Sequence, residues 1–180
     1  MTLRLCDFAR SSVVIRFALF AGAVTLATAS ALSQPPPLRI MPLGDSITYG
    51  SNNDGVGGGY RYPLYVALTN AGYTVDYVGT QTSVTHPGLG TEINHEGHSG
   101  WHVSASSNGI YENILPWLAQ IADPDVVLIH IGTNDTGDVP NFPGTIDELD
   151  ALISRIASAR PFAHIIVTTL LKRGADDTDS

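Results

Sequence analysis

The feature that most constrains this chain is "DPDVVLIHIGTND", residues 123 to 135. Val126–Ile131 is apolar at nearly every position, His130 excepted, and the run is too short for a helix. A strand with one wet face alternates, whereas a strand covered on both faces does not. Leu38–Leu43, Val75–Gly79 and Ile165–Leu171 read the same way, as further strands. Helical patterns lie between them. Tyr62–Ala71 has Pro63 near its start and Gly72 as its stop signal. A second helix is expected from Asn108 to Ile121, kinked or begun anew at Pro116. A third opens with the capping box Thr145-Ile146-Asp147-Glu148, and Leu149, Leu152, Ile153 and Ile156 then form one apolar face. Residues 80 to 105 show no period and read as loop. Strand–helix alternation around continuous apolar strands predicts a three-layer α/β/α sandwich with a parallel sheet. No internal repeat or heptad pattern is visible.

The first 31 residues read as a secretory signal peptide. Arg4, Arg10 and Arg16 precede or open an apolar segment from Phe17 to Ala27, and Ala29-Ser30-Ala31 fits a cleavage site. The alternative is an uncleaved anchor, but the stretch is diluted by Thr, Ser and Gly and ends at Pro35-Pro36-Pro37. Residues 32–37 form a stiff proline-rich lead-in, and 38–180 form the domain. The expected localisation is therefore secreted and extracellular, with no membrane attachment after cleavage. Cys6 is the only cysteine, so the domain holds no disulfide and relies on packing. The formal net charge is −8, and removing the leader with its three arginines makes it more negative. Such a balance argues against nucleic acid as a partner but leaves neutral polysaccharides open.

Polar residues collect just after the strands. Ser46 follows the first one in "IMPLGDSITYG", and Asn134 follows Val126–Ile131. In parallel sheets the carboxyl ends of the strands share one edge, where ligand sites form, so Ser46 and Asn134 are predicted neighbours. Gly-Asp-Ser and a strand-closing Asn are each ordinary turn chemistry when taken singly. Asp45 is expected to orient the turn through backbone hydrogen bonds. His95, His98 and His102 raise the question of a metal site. However, no cysteine supports them, Glu96 is the only nearby carboxylate, and no helical frame spaces them, so no metal is assigned. His130 reads as a packed core histidine.

Together the motifs resemble a known family. "GDSIT" around Ser46, "HEGHSGW" from His95 to Trp101 and "GTND" from Gly132 to Asp135 occur in the order found in the SGNH, or GDSL, hydrolase superfamily. With "GGYRYPLY" and "PDVVLIHIGTND" included, the chain resembles the acetyl xylan esterases of carbohydrate esterase family 3 over roughly residues 38 to 172. The resemblance implies a flavodoxin-like fold and a serine esterase needing no cofactor or metal. Its partner would be acetylated polysaccharide or a small acetyl ester. Ser46 would be the nucleophile. The Ser46 N–H, the Gly100 N–H and the Asn134 side-chain amide would receive the oxyanion, each such donor typically worth ~3–4 kcal/mol of barrier. Gly97 competes with Gly100, whose family position favours it. Arg61 and Trp101 are candidates to line the substrate cleft, against the plainer readings of a surface ion-pair arginine and a core tryptophan. Asn134-Asp135-Thr136 is also an N-glycosylation sequon, and a glycan there would block the oxyanion site.

The resemblance also implies a general base from a C-terminal D-x-x-H motif, which this sequence does not contain. The expectation is a domain truncated before its last strand and helix, impaired in catalysis, with Ile165–Leu171 left as an open apolar edge. His98 is the alternative base. Other functions compatible with the sequence are a lipase-like or arylesterase member of the superfamily and a non-catalytic carbohydrate-binding remnant.

Overall fold

The computed structural model describes residues 34–51, 56–104, 107–137 and 142–170. The segment expected to be a signal peptide (residues 1–31) and the polar tail from residue 173 lie outside the described residues. Everything below belongs to the unit Pro35–Ser180.

The order along the chain is β1 (Leu38–Gly44), α1 (Ser46–Tyr49), α2 (Arg61–Asn70), β2 (Val75–Tyr77), β3 (Glu96–Gly97), α3 (Ile110–Leu118), β4 (Val126–His130), α4 (Phe142–Ala159) and β5 (His164–Val167). Short 3-10 turns occur at Pro87–Leu89 and Asp135–Gly137. All strand pairings are parallel, in the order β2-β1-β4-β5. β3 continues along the same side of β1 as β2, pairing with Leu43 and Gly44 where β2 pairs with Leu38–Ile40.

The continuous apolar strands follow from burial on both faces. Met41, Leu43, Val127 and Ile129 pack with Ile110, Ile114 and Leu118 of α3 and Leu152 and Ile156 of α4. Ile40, Val126 and Leu128 point the other way, toward Tyr62, Tyr65 and Leu68 of α2. Helices therefore cover both sides of the sheet, as the alternation predicts.

Several boundaries differ from expectation. α4 begins at Phe142, so the Thr145 capping box lies inside the helix rather than at its start. Pro143 sits in the first turn, where its missing N–H costs nothing. The apolar face from Leu149 to Ile156 packs as predicted. α3 runs unbroken through Pro116 and is shorter than 108–121. Gly109 is still extended before its start, and Arg160 takes the Leu118 carbonyl at its end. The region from 80 to 105 contributes the short β3, because a two-residue strand leaves no readable period. β5 ends at Val167, not Leu171, although Thr168 N–H still donates to the Ile129 carbonyl. β5 is the sheet edge among the described residues, with Ile166 49% and Val167 43% exposed.

Candidate active site

Three segments leave the carboxyl edge of the sheet together. Gly44 lies opposite His130 on one side and Gly97 on the other, so the turns after β1, β3 and β4 start at the same level. The His98 N–H donates to the Gly44 carbonyl at 2.8 Å, tying the second turn to the first. The Asn134 Nδ2 donates to the Trp101 carbonyl at 2.6 Å, tying the third turn to the second.

Ser46 opens α1. The wholly buried Asp45 caps that helix, its Oδ1 accepting from the Ile47 N–H at 2.9 Å, which is the turn-orienting role expected for it. From below, the buried Thr48 meets the Tyr60 hydroxyl at 3.2 Å. Burial pushes that phenol up to about 12, so it stays protonated. Ser46 itself is half-buried. Among the described residues, neither its hydroxyl nor its N–H has a hydrogen-bond partner; the N–H is an orphan donor of a helix first turn.

The Gly100 N–H is likewise unpartnered among the described residues. Gly100 is the third residue of a turn closed by the Trp101 N–H and the His98 carbonyl at 3.2 Å. Its φ of +79° is the value a type II turn needs at that position. Gly97, the competing candidate, has a different reason to be glycine. A Cβ there would stand 2.3 Å from the Tyr49 nitrogen, so its missing side chain lets α1 pack on β3. The Asn134 amide has two N–H groups, and the Trp101 carbonyl uses one. The edge thus carries one hydroxyl and three available N–H donors on adjoining turns, a donor set suited to a developing oxyanion.

Arg61 is a correction. It was expected along the cleft, yet it is fully buried, and its guanidinium donates to the carbonyls of Ile93, Tyr49 and Val84 at 3.3, 3.2 and 2.6 Å. It braces the loops around α1 and is out of reach of a substrate. Burial lowers its pKa. Trp101 is half-buried beside Gly100, its ring 4.4 Å from that of His98.

The histidines are divided among separate tasks. His95 is buried between the Ser83 carbonyl, 2.8 Å from Nε2, and the Gly97 N–H, which donates to Nδ1 at 3.1 Å. Burial, with the nearby Arg61 charge adding to it, lowers its pKa to about 4. His98 places Nε2 2.7 Å from Glu96 Oε1. His102 Nδ1 lies 3.7 Å from Asp135. His130 is buried with its Nδ1 unpartnered.

Two contributors escaped sequence reasoning. Asp135, next to Asn134, accepts the Val103 N–H at 3.1 Å and so fixes the far end of the Gly100 segment. Glu96 is wholly buried and anchors His98. The Glu-x-His spacing is visible in the sequence, but nothing local to it says that Glu96 is buried against His98.

Comparison with known proteins shows which family the chain resembles. A model of the GDSL-like Lipase/Acylhydrolase family matches residues 43–180. A multidomain esterase of Ruminococcus flavefaciens is 32% identical over 172 aligned residues, covering 82% of this chain and 22% of that protein. The chain thus spans about a fifth of that relative's length. Among solved structures, a Clostridium thermocellum family 3 carbohydrate esterase superposes with a TM-score of 0.61 at 39% identity, covering 73% of this chain and 61% of the other. A serine-to-alanine mutant of an acetyl esterase with an acetate ion gives 0.56 at 29% identity, covering 72% and 60%. With its parallel α/β sheet and its motif turns gathered on one edge, the chain belongs to the GDSL-like lipase/acylhydrolase family.

Proposed function

We propose that this chain is a secreted serine esterase that removes acetyl groups from plant polysaccharide, acetylated xylan above all. The observation that carries the reading is the joining of three distant turns at one edge, through the Gly44 register with Gly97 and His130 and the Asn134–Trp101 hydrogen bond. In this mechanism the Ser46 hydroxyl attacks the acetyl carbonyl. The oxyanion is received by the N–H groups of Ser46 and Gly100 and by the free N–H of Asn134. The proton released by Ser46 passes to the departing sugar oxygen, which leaves as a free hydroxyl, and water then hydrolyses the acetyl–Ser46 ester to acetate and the free serine.

A serine hydroxyl needs a base to attack efficiently. The Ser46 hydroxyl has no partner among the described residues, and His98 has its Nε2 committed to Glu96. The oxyanion donors are therefore the better-formed half of the machinery. The acetyl preference and the polysaccharide come from the names of the similar proteins, a family 3 carbohydrate esterase and an acetyl esterase. The acidic balance is compatible with a neutral sugar polymer.

The test is hydrolysis of p-nitrophenyl acetate, then release of acetate from acetylated xylan, by the chain and by Ser46→Ala. Peptide mass spectrometry on reaction with the aryl ester should find acetyl on Ser46. Equal turnover by Ser46→Ala would refute the proposal. A preference for long-chain over acetyl esters would move the assignment to a lipase-like member of the family.

A further inference from the structure

Gly100 is exposed, and nothing lies within 4 Å of where its Cβ would stand; its carbonyl accepts from Asn108 Nδ2 at 3.1 Å, but the peptide that carries its N–H has no contact of its own on the Gly100 side. The turn is held at its corners. His98 is the first corner, and four different parts of the protein grip it. Its N–H donates to the Gly44 carbonyl at the end of β1. Its carbonyl closes the turn by accepting from the Trp101 N–H. Its Nε2 meets Glu96 of β3 at 2.7 Å, and its ring lies nearly parallel to Trp117 of α3, 4.3 Å between centroids and 10° between planes. Glu96 is itself immobilised, accepting from the Thr80 N–H at 2.7 Å and the Thr80 hydroxyl at 2.8 Å. A carboxylate sealed from water and met by three donors is a fixed anchor, not a swinging side chain.

We propose that His98 is a positioning residue, which sets the Gly100 N–H beside Ser46 through the Glu96 anchor and the ring cluster it forms with Trp101 and Trp117. The inference rests on the acyl-transfer reading above, since it supplies the rigidity that an oxyanion donor requires. A donor contributes most when it is aimed beforehand at the place where charge develops, and an ångström of drift is costly. The Glu96 bond stops rotation of the ring, Trp117 stacked on one face holds its plane while Trp101 leans against both rings, and the main-chain bonds pass that restraint to the turn. Only Ser99 and Gly100 then stand exposed between His98 and the partly buried Trp101. The arrangement also explains why Nε2 is spent on a buried carboxylate and not turned toward the serine.

The experiment uses acetate, the product of the proposed reaction, so that turnover is not required. The full chain is titrated with acetate and followed by the backbone amide resonances of Ser46 and Gly100. His98→Phe keeps a ring on Trp117 but cannot reach Glu96, while His98→Gln keeps an N–H for Glu96 but loses the stack. In the unsubstituted chain acetate should move both resonances saturably. His98→Phe should shift the Gly100 resonance before any acetate is added and weaken acetate about tenfold, the loss of one hydrogen bond to a charged acceptor. His98→Gln should recover part of that loss, which a general effect on folding would not produce. If His98→Phe does not fold, His98→Gln alone decides, by an altered Gly100 resonance and weakened acetate. A folded His98 variant with the original Gly100 resonance and acetate affinity overturns the inference and leaves the acyl-transfer reading standing. Failure of acetate to move Ser46 or Gly100 in the unsubstituted chain brings down both.

Discussion

The side-chain amide of Asn134 donates to the main-chain carbonyl of Trp101 at 2.6 Å, so a residue of the turn after β4 holds the turn that carries Gly100. The bond spends one N–H and orients the other. Asn134→Ala removes both. Loss of a single oxyanion donor of this type lowers kcat by about 10²–10³, with KM changing far less. Steady-state kinetics on an acetyl ester would show a fall in kcat; a change confined to KM would assign Asn134 to ground-state binding.

The same bond decides the sequon. A glycan on Asn134 would break its hydrogen bond to the Trp101 carbonyl and fill the proposed oxyanion site, so a correctly folded, active protein leaves this asparagine bare. Expressed through a eukaryotic secretory pathway, the folded protein should carry an unmodified Asn134. Peptide mapping checks this, and an occupied site with retained esterase activity would contradict the oxyanion role.

Arg61 should behave as a brace. It satisfies three carbonyls, on Tyr49, Val84 and Ile93, with a planar fork that lysine cannot reproduce. Arg61→Lys leaves buried acceptors unpaired, at about 1–3 kcal/mol each where water cannot replace the bond. The melting temperature should drop clearly, while KM for a small acetyl ester in the surviving folded enzyme stays near the original value. A selective rise in KM without destabilisation would return Arg61 to the substrate.

His95 links stability to pH. Burial and the Arg61 charge lower its folded pKa to about 4, from about 6.5 for an ordinary histidine. The unfolded chain therefore binds the additional proton between these values. Its stabilising contribution is complete above about pH 6.5 and is lost as pH falls toward 4, a total on the order of 3 kcal/mol. Denaturant midpoints measured from pH 7 to pH 4 should fall more steeply for the original protein than for His95→Gln, which keeps a donor and an acceptor but does not titrate. Parallel slopes would remove His95 from the acid response.

How much of this was legible beforehand depended on how local each signal was. The strand Val126–Ile131 and the apolar face Leu149–Ile156 announce themselves by period, and both packed as read. Ser46 and Asn134 could be placed on one edge because parallel strands put their carboxyl ends together, whereas Gly100, in a stretch that reads as loop, could be reached only through the family resemblance. Arg61 could not be read correctly, because its three carbonyl partners are 12 to 32 positions away and only tertiary packing makes it a brace. β3 was missed for a related reason, since two residues pair with Leu43 and Gly44 without any pattern of their own. The Thr145 capping box failed differently. Its local chemistry was sound, but Phe142–Pro143–Gly144 also took helical conformation and moved the start upstream.

Gly97 and Gly100 lie three positions apart and should respond oppositely to alanine. At Gly97 the new methyl would sit 2.3 Å from the Tyr49 nitrogen and 2.6 Å from the Thr48 carbonyl carbon, both main-chain atoms of α1 that cannot move aside without shifting Ser46. Gly97→Ala should cost several kcal/mol or prevent folding, as overpacking against backbone does, at the upper end of about 1–3 kcal/mol or beyond. At Gly100 the methyl meets nothing within 4 Å, but φ is +79°. The left-handed backbone then costs about 1–2 kcal/mol, which the turn can escape by rotating the Ser99–Gly100 peptide. That rotation redirects the Gly100 N–H. Gly100→Ala should therefore stay folded with a modestly lower melting temperature, yet lose kcat by a factor comparable to Asn134→Ala. Calorimetry and kinetics on the two variants separate a glycine needed for close packing from one needed for the direction of its N–H. If Gly97→Ala is well folded and Gly100→Ala fully active, the assignments of the two glycines must be exchanged.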